Sequence, residues 1–336
     1  MRIALIASGD GANARYRVFG PGEALRARGH RVLATVFADM KEPNALLDYD
    51  VVLGWRMHDE FFTRLARAMG ERRIGLVWDN DDNFLALEQR GRANTRFFNS
   101  LRGRRLLADM RVLMRTANIV TTPSAGLAAH YRESVETEVR VLENYVAPVT
   151  PRSTPSKPEQ VVVGWVAHME HQTDIERLGL RATFERLLER HPHVHVVTVG
   201  CGLGIASERY HHIRSVPFEE LRSYVTAFDV GIAPIADSDF NRSRSNVKVK
   251  EYAALGVPWL ASPIGPYEGL GQDEGGRLVP DDRWYDELER LVLDAKARRK
   301  LAKRAAKWGA RQTFEANVQV WEETLREAAA RAGRRV

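Results

Sequence analysis

Several stretches of the 336-residue sequence hold side chains whose types and spacing could do chemistry. The most informative is Phe228–Tyr267, FDVGIAPIADSDFNRSRSNVKVKEYAALGVPWLASPIGPY. An apolar run ends at Pro234, a polar loop follows, and a helix opens near Asn246–Val247. A helix start offers backbone N–H groups and the positive end of the dipole, which seats phosphate. Lys248 falls in the first turn and adds a point charge of the kind that suits phosphate. Glu251 stands three residues on, beside Lys248 on the helix face, where a carboxylate can accept from both hydroxyls of a ribose. The bland alternative is a plain Lys/Glu pair at a helix start.

Other stretches are more open. Gly9-x-Gly11 follows the apolar run Ile3–Ala7, and Arg15 and Arg17 come next; a tight turn alone would want those glycines. Asp79-Asn80-Asp81-Asp82 follows a second apolar run, with Asp82 equally suited to capping the next helix. Between Gln89 and Ala108 stand Arg90, Arg92, Arg96, Arg102, Arg104 and Arg105 with no acid, interleaved with Phe97, Phe98, Leu101, Leu106 and Leu107. That pattern suits a solvated helix face, a basic amphipathic segment on an anionic membrane, an arginine and aromatic patch on nucleic acid, or a seat for an anionic glycan. His168, His171 and Asp174 read better as a loop than as a metal cluster, and no metal is expected. Neither a nucleophile elbow nor a Walker loop is present.

The elements that must position these residues alternate. Strand-like runs at 2–7, 32–37, 51–54, 74–78, 119–123 and 139–142 are separated by helical stretches. Residues 147–158 hold four prolines, which neither continue a helix nor pair in a central strand. The alternation then restarts, with strands at 161–166, 193–200, 211–216, 230–234 and 258–262, and helices at about 174–190, 221–227 and 247–255. From Trp284 the tail is helical, and Phe314, Val318, Trp321 and Leu325 give its end one apolar face, predicted to pack on the body. Two α/β halves with parallel sheets are expected: residues 1–148, a linker at 149–158, a second domain at 159–305 and a closing helix at 306–336. In open α/β sheets ligands bind beyond the carboxyl ends of the strands, so the loops after strands hold the candidates.

Composition narrows the class. Apolar residues at 44% and charged residues at 28% exclude wholesale disorder. A single cysteine, Cys201, excludes an intrachain disulfide and points to a reducing, cytoplasmic setting. No apolar run approaches the ~18–20 residues of a membrane span, and the start lacks a signal peptide's pattern. Net charge is +6, and only eight of the 50 basic residues are lysines. Arginine's fixed fork suits phosphate, so the excess points to an anionic partner, although an arginine-rich genome gives the same composition. Residues 1–148 carry 22 bases and 18 acids, and the remainder 28 and 26, so neither half is a basic domain.

The segment Lys248 with Glu251-Tyr252-Ala253-Ala254-Leu255-Gly256-Val257-Pro258 resembles the C-terminal motif of two-lobed, family 4-like (GT-B fold) nucleotide-sugar glycosyltransferases. Tyr16-Arg17 through Pro21 to Gly29-His30, Trp78–Asp82, Val141–Asn144, Gly164–His168 and Val199-Gly200 resemble that family's other landmarks in the same order. The resemblance spans roughly residues 2–270. It implies two facing Rossmann-like domains, a UDP- or GDP-sugar as donor substrate, no further cofactor, and transfer to an acceptor hydroxyl, retaining and metal-independent. It implies that Glu251 binds ribose, and that Lys248 with the N–H groups at Asn246–Val247 holds the diphosphate. Trp165 and His168 would line the donor site, with Gly9, Gly11 and Arg17 near the phosphates and sugar.

One departure is plain. The family's glutamate eight positions before the ribose residue is Ser243 here, so Arg242, Arg244 or Asp239 is left to make its sugar contact. A carboxylate near the acceptor hydroxyl can orient it or take its proton, which makes Asp79, Asp81 and Asp82 the catalytic candidates. The expected acceptor is a glycan or lipid-linked glycan met at the arginine patch, with peripheral membrane contact. Hydroxylated bases of phage DNA, an epimerase of the same fold, and a nucleic-acid-binding protein without chemistry are the alternatives.

Overall fold

The computed structural model describes residues 1–84, 86, 92–151, 159–214 and 216–333. They divide into two compact units, Met1–Ala147 with Arg242–Ser245 and Phe314–Val336, and Pro148–Asn241 with Asn246–Thr313. The divisions fall at 147/148 and 313/314, and a four-residue loop from the second half joins the first unit. The linker 149–158 lies outside the described residues from 152 on.

The first unit holds strands β1 (Arg2–Ala7), β2 (Arg31–Val36), β3 (Val51–Trp55), β4 (Gly75–Asp79), β5 (Ile119–Thr122) and β6 (Val139–Val141). All pair in parallel, in the order β2-β1-β3-β4-β5-β6. Runs such as Ile3–Ala7 and Val51–Leu53 are apolar on both faces because helices cover both sides of a parallel sheet. The helices are α1 (Gly20–Ala27), α2 (Glu60–Glu71), α3 (Arg92–Asn99), α4 (Leu101–Thr116) and α5 (Ala125–Arg132). Phe62, Leu65 and Met69 of α2 and Leu113 and Met114 of α4 pack against Val52, Leu76 and Trp78. The C-terminal helix Phe314–Arg331 lies against β4, and Val318, Trp321 and Leu325 are buried. Gly75 permits this approach: a Cβ there would sit 2.6 Å from the Ala329 backbone nitrogen.

The second unit holds β7 (Val161–Ala167), α6 (Gln172–Arg177), α7 (Leu180–Arg190), β8 (Val194–Gly200), β9 (Tyr210–Ile213), α8 (Phe218–Val225), β10 (Val230–Ala233), α9 (Val247–Ala254), β11 (Trp259–Ala261), β12 (Gly276–Leu278), α10 (Trp284–Leu293) and α11 (Ala295–Gly309). Its sheet is also parallel throughout, in the order β12-β11-β10-β7-β8-β9. The stretch read as one helix over 174–190 is two, broken at Gly179, whose φ of 58° no helical residue adopts. Strand β12 carried no readable pattern, being three residues long behind two glycines.

Each sheet reverses its strand order once, between β1 and β3 in the first unit and between β7 and β10 in the second. Crevices outside the carboxyl ends of open parallel sheets form at such points. The loops after β1 and β3, and those after β7 and β10, are therefore the candidate ligand-binding loops of each unit.

Candidate functional site

In the second unit, the loop after β7 leads into α6, and the loop after β10 runs through Ile235 and Ala236 toward Asn241. One carboxylate ties them together. Asp174, fully buried, accepts from His171 Nδ1 (2.8 Å), from the Ala236 backbone N–H (3.0 Å) and from Asn241 Nδ2 (2.8 Å). Burial pushes its carboxyl up, but these bonds outweigh that and hold it below the ordinary range. The His171 ring stands edge-on to Trp165 at 5.5 Å. Ile235 N–H donates to Ser262 Oγ (2.9 Å), fixing the other side of the β10 loop.

Helix α9 opens on Asn246, whose side chain makes no capping bond to the first turn. The turn's amide end is thus left for another acceptor. Lys248 Nζ stands 2.8 Å from Glu251 Oε2, and both side chains keep partial exposure, 23% and 12%. The helix is held from behind by Tyr252. Its hydroxyl accepts from Val166 N–H (3.1 Å) and donates to the Ile232 carbonyl (3.0 Å), and burial pushes its phenol well above the usual value. Lys250, next to Glu251, is fully buried.

Two expected donor contacts in this unit take different places. Trp165 is 2% exposed and packs with Phe184, Leu187 and Leu288, because its position on β7 points into the helix-covered face. It is a core residue and not a lining one. His168 is exposed in the loop after β7.

In the first unit, Gly9 and Gly11 occupy the loop after β1. Neither has φ in the left-handed region, and a Cβ at either would meet nothing within 4 Å. Neither packing nor backbone conformation demands glycine there. A five-residue π-helical segment, Arg15–Phe19, follows before α1. Such segments are frequent at functional sites, and nothing in the sequence marked it.

Arg17 and Asp79 are corrected by the structure. Both are fully buried and face each other: Arg17 Nε donates to Asp79 Oδ1 (3.0 Å) and a second guanidinium nitrogen bonds Oδ2. Thr121 Oγ1 adds a bond to Asp79 (2.5 Å), and Arg17 also bonds Asn144 Oδ1 (3.0 Å) and the Leu142 carbonyl and lies over Trp321. Neither presents an atom to a substrate, because burial this complete requires that each charge be met within the protein.

Asp81 and Asp82 are gathered by Arg56, a residue the sequence did not single out. Arg56 adopts φ 53°, an uncommon conformation for a side-chain-bearing residue, in the loop after β3. Its guanidinium stacks 4.7 Å from the Trp55 ring, bonds Asp81 Oδ1 (2.6 Å) and pairs with Asp82. Trp55 Nε1 also donates to Asp81 (2.8 Å), which leaves Asp81 buried. The Asp82 side chain keeps 26% exposure, the most of the three candidate acids.

Ser243 and Arg242 belong to this unit as well. Ser243 is buried, accepting from Asn83 Nδ2 (3.0 Å) through its hydroxyl and from Ser124 Oγ (2.7 Å) through its carbonyl. It anchors its loop where the family pattern has a sugar contact. Arg242 is exposed, and its carbonyl lies where a Cβ at Gly126 would be, 2.4 Å away.

Of the arginine patch, Arg90 lies outside the described residues and Arg92 begins α3. Arg96, Arg102, Arg104 and Arg105 are exposed; Arg105 pairs with Glu60. Leu101 beside them is 81% exposed and Phe97 38%. His58, Asp59, Phe97, Arg102, Arg105 and Leu106 border an open cleft there. Among the described residues no group of three or more His, Cys, Asp or Glu is placed to hold a metal, and no helix is long and apolar enough to cross a membrane.

Residues 160–294 match the family model of glycosyl transferases group 1. The sequence matches no curated protein. Among solved structures, the chain is similar to a sucrose-phosphate synthase from Thermosynechococcus elongatus at 16% identity, TM-score 0.64, over 98% of this chain and 99% of that one. It is similar to HepE from Anabaena, solved with UDP and glucose, at 15% identity, TM-score 0.68, over 97% and 99%. WaaG, a glycosyltransferase involved in lipopolysaccharide biosynthesis, is similar at 12% identity, TM-score 0.63, over 96% and 99%. At these identities what is shared is the fold, the two-domain GT-B fold.

Proposed function

We propose that this chain, a glycosyltransferase by the group 1 domain it carries, moves a sugar from a nucleotide-diphosphate sugar to a hydroxyl of a glycan or lipid-linked glycan. The observation that carries the donor half is the opening turn of α9. In the unit that matches the family model, it offers uncapped amides, Lys248 and Glu251 together, beside the order-reversing strands β7 and β10. On this reading the amides at Asn246–Val247 and Lys248 hold the diphosphate, and Glu251 accepts from the ribose hydroxyls. Glycosyl transfer needs a stabilised leaving diphosphate, and preorganised charge and N–H donors commonly supply the largest part of that. HepE was solved with UDP and glucose, which supports a UDP-sugar as the first donor to test.

Gly9 and Gly11 leave the loop after β1 free of side chains at those positions, as the family resemblance implies for a loop that meets phosphate and sugar. Asp82, although paired with Arg56, is the acid retained as candidate to orient the acceptor hydroxyl, because its side chain keeps 26% exposure while Asp79 and Asp81 are buried in internal bonds. Retention of configuration, with the donor phosphate assisting the acceptor, and independence of a metal complete the reading; both come from the family resemblance. The acceptor is assigned to the face bearing Leu101, Arg102 and Arg104, whose exposed apolar and basic groups suit an anionic lipid-linked glycan.

A panel of UDP- and GDP-sugars tested by calorimetric binding and donor hydrolysis checks this. One of them is expected to bind, and Glu251→Ala to weaken it by ten-fold or more, on the order of 1.4 kcal/mol. If none binds, or Glu251→Ala binds as the parent does, the reading fails.

A further inference from the structure

The charge balance of the second half, 28 bases against 26 acids, conceals one strongly uneven element. Between Asp294 and Glu315 there are eight bases and no acid. Four of the eight lysines in the whole chain lie here: Lys296, Lys300, Lys303 and Lys307. A composition bias toward arginine does not explain lysines gathered in one place. On helix α11 these positions follow at intervals of four, three and four. At about 100° per residue they fall within an arc of roughly 60° and extend ~16 Å along the axis. All four are exposed, as are Arg299 and Arg311. The opposite face is firmly seated: Leu301, Ala305 and Trp308 are buried, and Gly309 lies against the backbone of Ala253 and Ala254 on α9. Arg298 and Arg304 are used inward, on the carbonyls of Leu291, Val292 and Gln272. The stripe is therefore a rigid outward row of ammonium groups.

We propose that the lysine stripe of α11 docks the protein on an anionic lipid bilayer. Ammonium groups are compact point charges on long stems, suited to a diffuse field of headgroups, whereas reading of individual phosphates or base edges favours arginine's fork. The exposed row holds no aromatic ring on which a nucleic-acid base could stack, since Trp308 faces inward. Leu293, 61% exposed just before the helix, supplies an apolar group at its start. Lysine stems can lie along a bilayer surface while the charges meet its headgroups. The inference does not rest on sugar transfer, and its test reads partition alone.

The full chain is sedimented with phosphatidylglycerol-containing vesicles and with pure phosphatidylcholine vesicles. Binding is expected only to the former and is expected to fall steeply as salt rises. Each base near an anionic surface contributes about five-fold to partition, so replacing all four by Lys→Gln at 296, 300, 303 and 307 should lower it by about 600-fold. Because the face is exposed, the variant should keep the parent's circular dichroism and melting temperature, and its nucleotide-sugar binding in solution. No binding to either vesicle, equal binding by the variant, or equal binding to both lipids would overturn the proposal. Duplex DNA that displaces the parent from vesicles at matched phosphate and salt would overturn it in favour of nucleic acid.

Discussion

Replacing Asp79 by asparagine separates a structural carboxylate from a catalytic one. In the parent, Asp79 receives two bonds from Arg17 and one from Thr121, at zero exposure. An asparagine keeps one acceptor oxygen, but because Arg17 donates to both carboxylate oxygens its amide NH2 faces a guanidinium N–H whichever way it is turned, donor against donor. The larger cost lies in Arg17, whose charge would remain buried with only neutral groups to meet it: the asparagine oxygen, the Leu142 carbonyl, Asn144 Oδ1 and the Trp321 ring. Removing one member of a buried pair typically costs ~3–5 kcal/mol. For a unit of ~150–250 residues each kcal/mol moves Tm by about 2–4 °C, so the unit holding Arg17 should melt ~6–20 °C lower.

Scanning calorimetry on the full chain, read beside donor hydrolysis, measures both consequences. The expected result is a lower first transition, with activity at low temperature retained by whatever remains folded. An unchanged Tm with activity abolished would refute the assignment and return Asp79 to the substrate. A second variant guards against simple misfolding. Arg17→Met combined with Asp79→Leu strands no charge and should be less damaging than Arg17 or Asp79 replaced singly. If the double variant loses as much as the two singles added together, the pair is not the device described.

Two further predictions test other parts of the first unit. Glu322 accepts from Arg326 (2.8 Å) and Arg28 (2.9 Å) and lies 3.3 Å from His30, which together draw its carboxyl down to about 2. A group depressed in the folded state stabilises above its ordinary value and loses that contribution as pH falls, here between about pH 5 and pH 2. With Arg28 and Arg326 half exposed, solvent screening holds the effect to ~1–2 kcal/mol; Glu322→Gln should lower Tm at pH 7 and flatten its acid limb, and an acid limb as steep as the parent's would count against it. Gly11→Ala has room and an ordinary φ of −76°, so Tm should move by less than ~0.5 kcal/mol equivalent while donor affinity drops ~10-fold; an unchanged Kd would mean the loop meets no donor.

What was legible in the sequence follows from the range of the interactions involved. Strands such as β1, β3 and β7 declare themselves because a strand covered on both faces is a nearly continuous apolar run. Lys248 and Glu251 could be paired on paper because three residues along a helix bring side chains to one face. The loop after β10 was placed for the same reason: its bounding elements are regular. Arg17 and Asp79 lie 62 positions apart, and no local pattern says that they meet. Arg56 was invisible for the same reason, since its partners stand 25 and 26 positions on and its φ is set by the turn it makes.

A charged residue's use is therefore decided by its exposure, and only part of that is local. Arg17 was assigned to a ligand because it follows a glycine loop, yet its charge is spent inside the unit. The lysines of α11 were passed over because charges summed over half a chain cancel, yet their spacing already placed them on one side of any helix they formed. Periodicity fixes which side chains share a face; the fold then decides whether that face is turned inward or outward. Here it turns Leu301, Ala305 and Trp308 inward, and that seating leaves the lysine row outward and makes it available to a partner.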